Sequence, residues 1–251
     1  MSAFRNFLES MEPGPTVQAA KDLYDASTPS QNPETQEPVQ QNLTGQLDDK
    51  QINDLCCTLE SIWKRTHQFA PVIREIKAAG VQYVASGSSR MVFKLNDKKV
   101  LKLAKNQKGI DQNYAEADPD LRNCYGIAEW YSLASDGIWI VSELCTKARQ
   151  SDFKAKLGLS FAEYCGYVNY VAQERSSRPS WLRYPQPKKF YEYIEAENLL
   201  GGVYEYIGSW DPPIGDLLRI SSYGINREGE IVLVDTGLSE RVAENHYKRR
   251  R

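Results

Sequence analysis

Lys102 is the residue whose setting most needs a chemical reason. It lies in Val100-Leu101-Lys102-Leu103-Ala104, a strand-like run in which an ammonium alternates with apolar side chains. A charge on a half-buried strand costs several kcal/mol unless an anion accompanies it. Glu116, on the following helix-like run, is the natural partner; a solvent-facing lysine beside Lys98, Lys99 and Lys105 is the open alternative. Asp235 ends the apolar run Glu230-Ile231-Val232-Leu233-Val234 and is followed by Thr236-Gly237. A carboxylate delivered at a strand end suits a hard cation such as Mg²⁺, which takes oxygen ligands; a simple strand-capping turn is the alternative. Gly87-Ser88-Ser89 offers small residues whose backbone N–H groups can approach an anion, as could any tight hairpin turn. Taken from the residues alone, these positions describe an anion-and-metal cleft.

The surrounding pattern says which elements must hold them. Ile52, Leu55, Leu59, Ile62 and Trp63 recur at helical spacing, with Asp48 or Asp49 as the N-cap. A second helix opens at Pro71 and closes at Gly80. Three strands follow, VQYVAS, MVFKL and VLKLA, the last two joined by a turn at Asn96-Asp97-Lys98. A helix from Ile110 to Glu116 stops before Pro119, and IAEWYSLA and WIVSEL form two more strands around Ser135-Asp136-Gly137. Ser160 and Glu163 make a capping-box pattern ahead of Tyr164, Cys165, Val168 and Val171. One helix is expected from Lys189 toward Ile207, weakened at Gly201-Gly202, and SSYGIN and EIVLVD read as a hairpin.

Composition narrows the function classes. With 31 Lys+Arg against 33 Asp+Glu, the net charge of -2 provides no global field for nucleic acid. No apolar run approaches the ~20 residues of a membrane span, and the opening residues lack the pattern of a secretory signal. Two histidines and no Cys-x-x-Cys pair leave no zinc motif. Five cysteines without a spacing framework read as reduced thiols, which suggests a cytoplasmic setting. Cys56, Cys124, Cys145 and Cys165 lie in apolar patterns and read as small core hydrophobes. From Asp25 to Ile62 there is no aromatic residue, and the Gln/Pro/Ser-rich stretch reads as a linker. Phe4, Phe7, Leu8 and Met11 ahead of it fall at helical spacing, either a frayed terminus or a partner-binding peptide. The aromatic-rich stretch Trp181 to Trp210 is read as core packing rather than base stacking, and Lys248 to Arg251 as a charged terminus. Asn42-Leu43-Thr44 is a glycosylation triplet that matters only in a secreted chain.

The order of the chemical residues adds a resemblance. A Gly-rich turn, a strand-three Lys, a helix Glu, an Asp after a helical region, and a strand-end Asp-x-Gly follow one another as in the protein-kinase signature set. The chain resembles a protein-kinase-like fold over roughly Val81 to Glu240. It is more narrowly similar to small kinase-like proteins encoded by bacteriophages, in which a GxxR-x-V-[FY] loop and a terminal D-x-G-L recur. The resemblance implies an α+β, two-lobed fold: a five-stranded antiparallel N-lobe sheet and a truncated helical C-lobe. It divides the chain into a flexible or partner-bound segment (1–47), an N-lobe with preceding helices (48–144), and a reduced C-lobe (145–251). It implies ATP and Mg²⁺ as cofactors. Ala85, Gly87, Ser88, Ser89, Val92, Lys102 and Glu116 would bind nucleotide with the hinge residues Glu143 and Cys145. Asp235 and Ser222 would meet the metal. Asp216 would be the catalytic base, acting with Lys102 and Asp235.

The match departs from the family at defined places. Ala85 and Arg90 stand where glycine is often found. Gly215 replaces the arginine before the catalytic aspartate, Ser222 falls where the metal-binding asparagine is expected, and Asp216 lies one residue upstream of its place. No activation segment is expected after Gly237. Two function classes follow. One is an atypical phosphotransferase acting on a protein, with transfer of another part of ATP, such as AMP, unseparated from it. The other is a catalytically impaired pseudokinase that serves as an interaction or virion structural module through its N-terminal segment.

Overall fold

The computed structural model describes residues 46–175, 186–237 and 239–246. Asp48 caps α1 (Asp49–Thr66), accepting from the Gln51 N–H at 2.8 Å while the Gln51 side chain accepts from the Asp48 N–H at 3.0 Å. This reciprocal cap satisfies two otherwise orphaned donors and fixes where the helix starts. Its apolar stripe packs with α2 (Phe69–Ala78), which begins ahead of Pro71 rather than at it. An early-turn proline has no N–H to lose to the helix ladder, so the helix can extend past it toward the N-terminus.

Five antiparallel strands follow: β1 (Gln82–Ser86), β2 (Arg90–Lys94), β3 (Lys99–Ala104), β4 (Trp130–Leu133) and β5 (Trp139–Glu143), in the order β1-β2-β3-β5-β4. Between β3 and β4 lies α3 (Gln107–Glu116), started by Asn106, whose side chain accepts from the Gly109 N–H. Direct pairing puts Val92 opposite Lys102 and Lys102 opposite Ile140. Paired residues of adjacent strands share a sheet face, as do residues two apart on one strand. Arg90, Val92, Val100, Lys102 and Ser142 therefore look out from one face. α1, α2, α3 and the sheet enclose the first core, around Leu59, Val72, Ile76, Phe93, Leu101 and Leu103.

The second half is an α+β lobe. β6 (Thr146–Lys147) leads into α4 (Gln150–Leu157), α5 (Phe161–Arg175), α6 (Phe190–Ile194), α7 (Leu199–Trp210) and α8 (Ile214–Leu217). β7 (Tyr223–Ile225) and β8 (Ile231–Leu233) join β6 in a three-stranded sheet, order β6-β7-β8. Phe153, Tyr164 and Tyr223 form the centre of its core, with ring centroids 5.0–5.5 Å apart and the Tyr164 hydroxyl donating to that of Tyr223 at 3.0 Å. The helix expected from Lys189 to Ile207 is two helices. Asn198 caps the second by accepting from the Leu200 N–H, and a new cap starts a new helix. Gly202 is a close-approach position rather than a weak point: a Cβ there would drive into the Tyr125 carbonyl.

The architecture is α+β, with the five-stranded antiparallel sheet that the resemblance implies. β6, α4 and α9 (Glu240–His246) were not expected from the sequence. α9 follows the Asp-Thr-Gly turn and docks on α3, where His246 meets Asp111 at 2.7 Å. Among the aromatics read as core, Phe190 and Tyr206 are buried and Tyr191 is exposed. All five cysteines are free, and Cys56 alone is buried; Cys124, Cys145 and Cys165 are partly exposed. The N-terminal peptide, the glycosylation triplet, Trp181, Tyr184 and the terminal Lys248–Arg251 run lie outside the described residues. No described helix is long and apolar enough to cross a membrane.

Candidate functional site

A cavity of about 770 Å³ lies against the outward face of β1–β3, bounded on its other side by β7 and the end of β8. The predicted positions Ala85, Gly87, Ser88, Ser89, Val92, Lys102, Glu143, Cys145, Asp216, Ser222 and Asp235 all line it. Glu116 stands behind, reached through Lys102. Ala85, Val92, Val100, Leu144 and Val234 give the cavity an apolar part to its lining. At the hinge, the Leu144 N–H is already given to the Lys98 carbonyl at 2.8 Å, and the Glu143 N–H to that of Glu129 at 2.8 Å.

Lys102 is buried, and its ammonium donates to Glu116 and to the Val234 carbonyl at 2.8 Å. The strand lysine thereby touches both the last residue of α3 and the residue preceding Asp235. Glu116 is fully engaged: one carboxylate oxygen accepts from Lys102 and from the Ser142 hydroxyl at 3.0 Å, the other from Arg90 at 2.6 Å. Burial pushes its carboxyl up, but the charges of Lys102 and Arg90 outweigh that and bring it down to about 2.

Arg90 is what the sequence reading missed. Its guanidinium is buried and forks between two carboxylates, Nη1 to Glu116 at 2.6 Å and Nη2 to Asp235 Oδ1 at 2.6 Å, with Asn113 accepting from Nη1 at 3.3 Å. Burial alone would lower its pKa, but the Glu116 and Asp235 charges raise it overall. Two signals in the sequence could have found it. Arg90 is two residues before Val92, so strand alternation sets it on the face of Lys102. Asn113 is three residues before Glu116, on the same side of α3.

The Gly-rich turn is tied down by its neighbours. The Lys105 ammonium donates to the Gly87 carbonyl at 2.9 Å and to Ser86 at 3.1 Å, and the Asn106 amide to the Ser88 carbonyl at 3.2 Å. Ser89 donates to Gln112 of α3. Gly237 lies so near α3 that a Cβ would meet the Gln112 carbonyl at 2.8 Å, which explains glycine in the Asp-Thr-Gly turn.

On the opposite wall, Ser222 donates to the Asp216 carbonyl at 2.7 Å and accepts at its own carbonyl from the Val234 N–H at 2.9 Å. The Asp216 carboxylate pairs with Arg219 at 3.1 Å. Ser222 and Asp235 bring only oxygen donors to the cavity, which fits Mg²⁺ that arrives with most of its ligands on a polyphosphate. Among the described residues no group of three or more His, Cys, Asp or Glu is placed to hold a metal by itself.

No family model matches this chain, and no curated protein matches it. Solved structures do. The GDP complex of wild-type aminoglycoside 2'-phosphotransferase-IIIa shares 16% identity over 62% of this chain and 66% of that one, with a TM-score of 0.34. The ADP-bound aminoglycoside phosphotransferase APH(2'')-Ib shares 17% over 62% and 65%, with a TM-score of 0.33. The streptomycin–ATP–APH(2'')-IIa ternary complex shares 17% over 62% and 65%, with a TM-score of 0.30. The chain spans about two thirds of the length of each of these structures.

Proposed function

We propose that this chain is a kinase-like phosphotransferase that binds ATP in the cavity beneath β1–β3. The observation that carries the reading is the buried Lys102–Glu116 pair at the rim of a cavity that also receives Asp235. A buried pair is weak as a source of stability, since desolvation offsets most of its attraction. Its position, one ammonium beside a cavity lined by both apolar side chains and the small residues of the Gly-rich turn, suits a nucleotide. Adenine would lie between Ala85, Val92 and the hinge at Glu143–Cys145, with Gly87, Ser88 and Ser89 over the phosphates. Lys102, held by Glu116, would orient the α- and β-phosphates.

Asp235 and Ser222 would hold Mg²⁺, which when bound neutralises charge developing on the phosphates. Asp216 would accept the proton of the attacking hydroxyl, and a protein of host or viral origin is the acceptor that the phage resemblance suggests. The test is a thermal-shift titration of the full chain with ATP, with and without Mg²⁺, on the wild type and Asp235→Asn. Ligand at a hundredfold its Kd adds ~2.7 kcal/mol, a shift of roughly 5–10 °C for a domain of this size. We expect a magnesium-dependent shift that Asp235→Asn loses. Absence of any shift with ATP would overturn the reading.

A second reading rests on the opposite wall. The Asp216 carboxylate is paired with Arg219, and serine stands at the expected metal-ligand position, which favours nucleotide binding without transfer, as in a pseudokinase. Asp216→Asn separates the two. In an enzyme it leaves ATP binding intact and lowers transfer by roughly 10²–10⁴-fold; in a binding module there is no transfer to lower.

A further inference from the structure

Four charges share a small volume at the rim of this cavity, and they balance. Lys102 and Arg90 are cations, Glu116 and Asp235 anions, joined in the order Lys102–Glu116–Arg90–Asp235. Glu116 has both oxygens engaged and is buried. Asp235 differs, with its side chain 57% exposed to the cavity and one oxygen held by Arg90. Arg90 itself is only 9% exposed, anchored by Glu116 and Asn113, so its guanidinium is a fixed part of the wall.

We infer that Arg90 is the resident counter-ion of Asp235, and that it weakens the hold of this carboxylate on a divalent cation. This rests on Asp235 being the metal-facing carboxylate of the proposed site. The guanidinium occupies Oδ1 and offsets the negative charge that would draw a metal ion to the carboxylate. Arg90 is thus a positioning residue. It holds Asp235 toward Glu116 and α3.

The test is a titration of the full chain with Mn²⁺ alone, following the free-ion signal by electron paramagnetic resonance without nucleotide. The proteins are the wild type, Arg90→Met, Arg90→Lys, and Arg90→Met combined with Asp235→Asn. Freeing a charge-assisted bond to Asp235 should tighten Mn²⁺ binding by roughly tenfold in Arg90→Met. Arg90→Lys, which cannot fork to both carboxylates, should fall between, and the double variant should lose the gain. If Arg90→Met fails to fold, Arg90→Lys keeps the buried charge and carries the comparison against the wild type. Equal Mn²⁺ affinity in the wild type and the Arg90 variants, or a gain that survives Asp235→Asn, overturns the inference. ATP binding by the wild type, measured separately, decides the phosphotransferase reading without reference to the Mn²⁺ result.

Discussion

Arg90 and Asp235 lie 145 positions apart in the chain and meet at 2.6 Å. One belongs to the first residue of β2, the other to the residues just past β8, and Glu116 of α3 is held by the same guanidinium. Three elements are therefore joined by one planar side chain. A fork of this kind fixes distance and angle together, which a single lysine contact does not.

The pairing makes the charges interdependent. Lys102→Met leaves Glu116 with Arg90 as its one remaining cation and should cost ~3 kcal/mol, or roughly 6–12 °C in melting temperature for a domain of this size. Glu116→Gln leaves Lys102 without a carboxylate and Arg90 with Asp235 as its remaining one, and should cost as much. The double variant should cost clearly less than the two single losses added, because each single change leaves a buried charge behind. A double-mutant cycle from denaturant unfolding measures this; simple additivity would mean the pair is not coupled in solution.

Acid sensitivity follows from Glu116. Its carboxyl is brought down to about 2 in the folded protein from an ordinary 4.5. The unfolded chain then binds that proton more readily, so the stabilisation is fully present above about pH 4.5 and is lost as pH falls from there toward 2. The urea midpoint of the wild type should fall between roughly pH 5 and pH 3 more steeply than that of Glu116→Gln. Parallel curves would show that Glu116 is not held as an ion.

Thiol chemistry reads the cavity directly. Cys145 lines it, and burial followed by the Glu143 charge pushes its pKa up to about 12. Cys57 is exposed. Alkylation followed by mass spectrometry should modify Cys57 first at pH 8, while Cys145 reacts slowly and accelerates as pH rises toward 12. ATP should slow Cys145 further and leave Cys57 unchanged. Equal labelling of both, with or without ATP, would place Cys145 outside the nucleotide's reach.

Gly202 tests the packing of α7. A Cβ there runs into the Tyr125 backbone, which cannot rotate away as a side chain would. Gly202→Ala should therefore destabilise by about 1–3 kcal/mol, although alanine is the better helix former by ~1 kcal/mol. Gly166, also on a helix, has nothing within 4 Å of its would-be Cβ, and Gly166→Ala should stabilise. Thermal melts of the two variants should move in opposite directions; a shift in the same direction would contradict the close contact.

Much of this arrangement was legible in the residues. Alternation marked β3 and placed Lys102 on it, the Asp48 cap and helical spacing marked α1, and an apolar run ending in Asp-Thr-Gly marked the delivery of Asp235. These are short-range signals, set by the period of a strand or helix and by the turn chemistry at its ends. The break between α6 and α7 was hidden because both sides of it are apolar, and only the Asn198 cap distinguishes two helices from one. α4 and α9 are short and lack a clear apolar stripe, so packing rather than periodicity makes them helical.

Which charge meets which was beyond the reach of spacing. The sequence by itself determined that a lysine would sit on a half-buried strand, that a glutamate would end the next helix, and that an aspartate would finish a late strand. Alternation even set Arg90 and Lys102 on one face. The tertiary structure alone decided that α3 and the end of β8 converge on that face, so that Arg90, departing from a glycine pattern, became the link between Glu116 and Asp235. The physical reason is that a buried guanidinium must satisfy its charge with whatever carboxylates the fold brings within reach, and that distance is a property of the packed chain.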